Sequence, residues 1–162
     1  MPLSIALKTK VDPLIVATAP VTVSVVEPTV CELTIDFTAI DSMSCAMSEM
    51  RLNVPSLAGS GTQELQAWSA ALCQRVTYLL ESIGTLEIDP TSNQVLIRST
   101  PPQQQTTVTK FYEIILASQT GGLFTLRRYE ASPGSAGRTP VDISITHEVL
   151  YRLVDDLMDT IP

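Results

Sequence analysis

Repeated alternation of apolar and polar residues constrains the fold of this chain more than any other feature of its sequence. The clearest stretch follows Val30, where Leu33, Ile35 and Phe37 alternate with polar neighbours. A period of two residues places alternate side chains on opposite faces of a strand, so this stretch predicts a half-buried β-strand. Similar alternation recurs at 21–26, 43–52, 86–89, 95–97, 123–130 and 141–145. The 108–118 stretch is apolar on both faces, which predicts a central strand.

Two segments instead have the spacing of three and four residues that is typical of amphipathic helices. The first is predicted to begin near Ser60 or Thr62, either of which could cap it, and to end at Gly84. Its apolar stripe consists of Leu65, Trp68, Leu72, Val76, Leu79 and Ile83.

The second helix is predicted to begin after Thr146, which could act as its N-cap, with Ile145 packing on Leu150 one turn later. Its apolar face is Val149, Leu150, Leu153, Val154, Leu157, Met158 and Ile161, and its solvent face is Arg152, Asp155, Asp156 and Asp159. The negative charges lie at the end of the helix where the dipole disfavours them. This placement predicts that they meet a basic partner.

These elements predict an α+β fold: an antiparallel sheet of five to seven strands with two amphipathic helices packed on one face. The length of 162 residues suits one domain, 1–162. Pro13, Pro20 and Pro28 interrupt the first 29 residues, and proline cannot donate to a strand ladder. We therefore expect 1–29 to form an N-terminal arm or edge strands of the same domain.

Composition limits the compartment and the class of protein. The apolar fraction of 44% and the charged fraction of 17% are those of a folded chain, and the apolar runs are too short to cross a bilayer. Asp12 and Pro13 interrupt the only stretch that resembles a signal peptide. Cys31, Cys45 and Cys73 form no CxxC pair and predict reduced core thiols. We expect a cytoplasmic protein with no membrane contact.

The charge of the chain is uneven. The net charge is −7, yet 98–138 carries five basic and two acidic residues, net +3. An acidic protein repels nucleic acid overall, so an anionic partner could bind only at this segment. The candidate anionic-ligand face consists of Arg98, Lys110, Tyr112, Arg127, Arg128, Tyr129 and Arg138.

Basic residues interleaved with aromatic ones are typical of surfaces that bind single-stranded nucleic acid by charge and stacking. The order strand, turn, strand, loop, strand, helix over 108–160 resembles the Whirly and transcriptional-coactivator type of single-stranded-DNA-binding domain, in element order and a few apolar positions. The competing interpretation is that the arginines pair with Glu113, Glu130 or the acidic helices. Arg127 and Arg128 also fall on opposite faces of their strand, which favours that competing interpretation.

No motif in the chain predicts a catalytic, cofactor or metal site. The lone His147 has no diagnostic partner, and Asp155, Asp156 and Asp159 are typical of a solvated helix face. Period-two alternation explains Met43, Cys45 and Met47 as core residues, and the glycines match no phosphate-binding loop.

The sequence therefore predicts a non-enzymatic, acidic interaction domain, adaptor-like or chaperone-like, that binds a protein partner or pairs with itself as a homodimer. The alternative is a module that binds single-stranded nucleic acid through 98–138. The self-complementary and heterologous versions of the first prediction stay open at this point, as does the size of any oligomer.

Overall fold

The computed structural model describes residues 1–15, 20–100, 103–104, 108–134 and 136–162. Three α-helices lie in these ranges: α1 (Leu3–Val11), α2 (Thr62–Arg75) and α3 (His147–Thr160). The strands are β1 (Val21–Glu27), β2 (Cys31–Ile40), β3 (Ser44–Val54), β4 (Ile83–Asp89), β5 (Gln94–Ser99), β6 (Gln103–Gln104), β7 (Thr109–Ala117), β8 (Gly122–Ala131), β9 (Thr139–Val141) and β10 (Ile143–Thr146). The predicted α+β class is confirmed. The predicted five to seven strands and two helices are too few.

All strand pairs in the described residues are antiparallel and belong to one sheet, whose main path runs β1-β2-β3-β8-β7-β5-β4. Three short strands lie off this path: β6 beside β7, β9 beside β8, and β10 beside β3. The low strand count in the prediction comes from these short strands, since two to four residues are too few to show alternation. The segment predicted as one last strand, 141–145, is in fact split between β9 and β10.

The sheet has two unlike faces. Cross-strand partners share a face, and the register joins Ile35, Met50, Leu126, Ile114 and Ile97 into one apolar row across five strands. All three helices contribute buried residues to the same core cluster as this row. We call this side the helix-covered face and the opposite side the open face.

The N-terminal segment differs from its prediction. Residues 3–11 form helix α1, not an extended arm, because Leu3, Leu7 and Val11 recur every four residues and are buried on one side. Pro2 starts the helix, since its carbonyl accepts the Ala6 amide at 3.2 Å. Pro13 lies in a short 3-10 turn after the helix, where it removes no strand hydrogen bond. The strand predicted at 21–26 is confirmed as β1.

Helix α2 is shorter than predicted. It ends at Arg75, and Gly84 lies in β4, so it does not terminate the helix. The N-cap is Gly61, with no side-chain cap from Ser60 or Thr62. Val76, Leu79 and Ile83 are buried as the stripe required, but they lie outside the helix. The spacing of three and four residues therefore predicts the burial of these three side chains correctly, but the helix that it predicts ends before them.

Helix α3 begins where predicted. The Thr146 hydroxyl accepts the amide of Val149 at 3.2 Å, which satisfies one of the unpaired donors of the first turn. The predicted solvent face is wrong at Asp156, which is buried. Its carboxylate accepts hydrogen bonds from Arg75 at 3.0 Å and from the Tyr78 hydroxyl at 2.7 Å. Arg75 of the same chain, not a basic partner, thus pairs with Asp156 and Asp159.

Candidate functional site

The seven residues of the candidate anionic-ligand face do not share one surface. Lys110, Tyr112 and Arg128 lie on the helix-covered side of the register, because Tyr112 pairs with Arg128 and is two residues from the buried Ile114. Arg98, Arg127 and Tyr129 lie on the open side, and Arg138 reaches the same side from the segment before β9. An anionic ligand could not contact both sets at once.

Arg128 forms a buried ion pair with Glu81. Two guanidinium nitrogens donate to the two carboxylate oxygens at 3.0 and 3.2 Å, and each side chain is only 5% exposed. The hydroxyl of Ser99 also donates to Glu81 at 3.0 Å and accepts the Tyr112 amide at 2.7 Å. The guanidinium lies 4.1 Å from the centre of the Tyr112 ring. Arg128 and Tyr112 are therefore part of the core.

Glu113 holds two arginines on the open face. Oε2 of Glu113 accepts a hydrogen bond from Arg98 at 2.9 Å, and Oε1 accepts one from Arg138 at 3.0 Å. The Glu113 side chain is 4% exposed. Burial tends to raise the pKa of Glu113, but the hydrogen bonds from Arg138 and Arg98 outweigh it and lower that pKa below its usual 4.5. Glu113 is thus the anion that these two arginines bind.

A second charge cluster crosses β2, β3 and β8 on the same face. Arg51 donates to Asp36 at 2.7 Å and to Glu49 at 2.6 Å, and Glu49 also pairs with Arg127. The hydrogen bond from Arg51 lowers the pKa of Asp36. Arg127, which composition assigns to an anionic ligand, is therefore neutralised by a carboxylate of the neighbouring strand.

The aromatic residues of the open face are covered by arginines. Phe111 and Tyr129 are cross-strand partners with ring centres 5.8 Å apart. Arg98 lies 5.0 Å from the Phe111 ring centre, and Arg138 lies 3.9 Å from that of Tyr129. The rings are 8% and 7% exposed, respectively. Base stacking requires an open ring face, so this pair offers little surface to a nucleobase.

The remaining arginines are also engaged. Arg75 pairs with Asp156 and Asp159, and Arg152 lies 4.1 Å from the centre of the Tyr78 ring. All seven arginines of the chain therefore contact a carboxylate or an aromatic ring. Lys110 is half-buried and makes no salt bridge within the described part of the chain.

Exposed acids outnumber the cations left to pair with them. Several exposed carboxylates form no salt bridge with any described residue: Glu32, Glu64, Glu87, Glu148 and Asp155. The net charge of −7 is thus carried by surface carboxylates without a salt bridge to a described residue, while every arginine contacts a carboxylate or an aromatic ring within the fold. A surface of this sign attracts cationic partners and repels anionic ones.

A cleft of about 260 Å³ lies on the open face where the sheet ends. Glu87 and Asp89 of β4 line its outer side, and the cluster of Glu113, Arg98 and Arg138 lines its inner side. Leu96 and Ile115, which are cross-strand partners, supply apolar surface between them. The cleft therefore has an apolar floor between an acidic outer side and an inner side that carries two arginines paired with one carboxylate.

The other residues weighed in the sequence have structural contacts. His147 Nε2 lies 3.1 Å from the Ser44 carbonyl oxygen, and its ring packs edge-on against Tyr151. Cys45 and Met47 are buried in β3, whereas Met43 precedes the strand and is 76% exposed, so it does not share their face. All three cysteines are free thiols, and burial raises the pKa of Cys45 to about 12.

No group of three or more His, Cys, Asp or Glu side chains in the described ranges is placed to hold a metal ion.

The sequence names Glu113 as a partner for the arginines, but it singles out neither Glu81 nor Glu49. Glu81 is covered only as part of a predicted acidic helix, and Glu49 lies in a segment predicted only as a strand. Alternation along β3 could have placed Glu49 on the polar face with Arg51, but no local signal connects Glu81 with Arg128, 47 residues later.

Comparison of the chain with protein-family models, with curated proteins and with solved structures finds no match. Among the described residues, none of the helices has the length and apolar character needed to span a bilayer.

Proposed function

We propose that this chain is a non-enzymatic acidic interaction domain, adaptor-like or chaperone-like, whose protein partner presents positive charge. The observation that carries the proposal is the division of charge across the molecule. Its arginines are engaged within the fold, and exposed carboxylates such as Glu32, Glu87 and Asp155 have no salt bridge to a described residue. Long-range attraction by such a surface speeds encounter with cationic partners.

The same contacts argue against the nucleic-acid alternative. Binding to the phosphate backbone needs lysines or arginines that are free to displace the counterions condensed on the nucleic acid. Arg98 and Arg138 would first have to leave Glu113, a nearly buried carboxylate that would then lack both partners. Arg128 would have to leave Glu81 in the core. Lys110 alone is a weak basis for a nucleic-acid surface.

A cytoplasmic location belongs to the proposal. Three free thiols support it, because cysteines in oxidising compartments are usually paired in disulfides.

The proposal is tested by measuring fluorescence anisotropy of two labelled probes at low salt and at physiological salt. The probes are a flexible lysine-rich peptide and an oligothymidylate of similar length. We expect the peptide to bind with an affinity that falls as salt rises, and the oligothymidylate not to bind. Salt-sensitive binding of the oligothymidylate without binding of the peptide would overturn the proposal in favour of the nucleic-acid module.

Sedimentation of the chain alone distinguishes the two versions of the interaction domain. A monomer at physiological salt supports a partner of a different kind. A stable dimer would contradict the proposal of a cationic partner. The partner would then be a second copy of the chain, which itself carries a net charge of −7.

A further inference from the structure

One edge of the sheet has no neighbour in the described part of the chain. β4 is the last strand of the main path and pairs only with β5, so a row of its backbone N–H and C=O groups faces outward. Such an edge is a template for another strand. Helices contact both edge strands, but at the opposite edge, β1, Lys10 of helix α1 also donates a hydrogen bond to the Ser24 carbonyl.

β4 has only part of the usual protection of an exposed edge: one bulge and two acidic side chains. Natural sheets protect edge strands with lysine, proline or an inward-pointing charge, and Ile83–Asp89 contains neither lysine nor proline. Two of its apolar side chains are exposed, Leu86 at 53% and Ile88 at 41%. A bulge between Thr85 and Glu87 shortens the regular ladder but leaves Glu87–Asp89 in register with β5.

The cleft beside this edge is suited to the side chains of an added strand. Glu87 pairs with Leu96 and Asp89 with Gln94, so both carboxylates lie on the open face with the cleft. A lysine or arginine on the open side of an added strand would lie directly beside Glu87 or Asp89, with its charged head close to those carboxylates and its aliphatic stem over β4. The next residue of the added strand would face the other way, toward the exposed Ile88 on the helix-covered side.

Asp89 stays ionised at this edge. Its carboxylate accepts the amide of Thr91 at 3.0 Å and the hydroxyl of Ser92 at 2.7 Å, and the hydrogen bonds from Ser92 lower its pKa. Glu87 forms no salt bridge with any described residue, so its charge is available to a ligand. The edge thus offers two fixed negative charges.

We propose that β4 binds an extended segment of a basic protein partner as an added antiparallel strand, with lysine or arginine facing the cleft and apolar residues alternating on the other side. This inference rests on the proposed function, because it specifies where and how the cationic partner binds. Backbone hydrogen bonds to Ile83–Asp89 supply affinity, and the alternation of side chains supplies specificity. A second copy is the poorer occupant, since β4 pairing with itself would bring Glu87 and Asp89 of both chains to one edge.

The test compares two peptides of the same charge. One alternates lysine with valine, and the other has the same sequence with alternate backbone amides N-methylated so that it cannot donate to β4. We expect the methylated peptide to bind about tenfold more weakly, because main-chain hydrogen bonds supply much of the affinity of an added strand. Hydrogen exchange should show that the unmethylated peptide protects amides of Ile83–Asp89 and leaves β1 unchanged.

Glu87→Lys is the matching variant of the protein, with Glu32→Lys as its control. Both change one exposed strand glutamate by the same charge, but Glu32 lies in β2, several strands from the cleft. We expect Glu87→Lys to weaken the alternating peptide about tenfold and Glu32→Lys to weaken it less than about threefold, since only a nearby charge pairs with the ligand. Equal losses would overturn the inference.

The outcomes separate this inference from the proposed function. Equal binding of both peptides, with no protection of β4, would overturn the added strand and leave a general acidic interaction domain. Failure of both peptides to bind would overturn the proposed function as well. Protection of β4 in the protein alone, accompanied by a dimer in sedimentation, would replace the basic segment with a second copy.

Discussion

Removal of the Glu81 carboxylate should destabilise the fold severely. In Glu81→Leu, the guanidinium of Arg128 would lose both of its hydrogen bonds to that carboxylate while its side chain stays about 5% exposed. Loss of one partner of a buried ion pair costs about 3–5 kcal/mol, out of a total of about 5–15 kcal/mol for a typical domain. At about 2–4 °C per kcal/mol for a chain of this size, the Tm should fall by roughly 6–20 °C.

The double variant Glu81→Leu, Arg128→Met is the decisive control. It removes both charges, and buried ion pairs replaced by apolar residues are often neutral or stabilising. Ser99 would lose the carboxylate that its hydroxyl donates to, which costs about 1–3 kcal/mol. We therefore expect the double variant to lie within about 3 kcal/mol of the wild type and above either single variant.

Urea unfolding followed by the fluorescence of Trp68 measures these differences. Trp68 is the only tryptophan and is buried 6.4 Å from Phe124, so its emission reports loss of the core. The reasoning would be refuted if the losses of unfolding free energy in the two single variants simply added in the double variant. A loss below about 1 kcal/mol in each single variant would also show that Glu81 and Arg128 are not a buried, energetically coupled ion pair.

Three further predictions concern other parts of the fold. Because the folded-state pKa of Glu113 lies below 4.5, the stability it contributes is complete above pH 4.5 and is lost as pH falls through the folded-state value. In Glu113→Gln, the free energy of unfolding measured with urea should therefore fall less steeply as pH decreases below 4.5. An unchanged pH dependence would contradict this. Thr146→Ala should cost about 1 kcal/mol by removing the cap on the Val149 amide, whereas Thr146→Ser should retain most of it. Gly122→Ala should cost about 1–3 kcal/mol in the same assay, because its Cβ would lie 2.5 Å from Cβ of Leu57. An unchanged urea midpoint would contradict that steric argument.

The strands were predictable from sequence where one face is buried and the other is polar. In β2, the buried Leu33, Ile35 and Phe37 alternate with less buried neighbours, which is the pattern that the sequence shows. The central position of β7 was also predictable, since its apolar residues lie on both faces, and the strand pairs with β8 on one side and β5 on the other. Alternation of apolar and polar residues reflects the burial of one face of a strand, so it predicts strands best where only one face is buried.

The helices were harder to predict because burial and helical periodicity are different properties. In α1, the spacing of Leu3, Leu7 and Val11 was present, but nearby prolines favoured an extended interpretation. Beyond α2, Val76 and Leu79 continue the helical spacing in a segment that is not helical but is still packed in the core. Spacing over so few residues cannot distinguish these two cases.

The candidate site was predictable only in part, for a topological reason. The basic residues of 98–138 could be counted from sequence, but their partners come from neighbouring strands that are distant in sequence. Arg127 meets Glu49 because β8 lies beside β3, and Arg128 meets Glu81 from the segment before β4. Local charge therefore overstated how basic the surface is. The two acids of β4 are visible in the sequence, but its position at the edge of the sheet depends on the strand order.

The position of β3 has a consequence for synthesis on the ribosome. One side of β3 pairs with β2, which precedes it, while the other side is shared by β8 and β10, with Met50 opposite Leu126 and Met47 opposite Ile143. The nascent chain therefore carries β3 with one side unpaired until β8 and β10 have been made. Non-local pairing of this kind also slows folding. During translation, the unpaired side of β3 is therefore open to other strands, including those of neighbouring nascent chains.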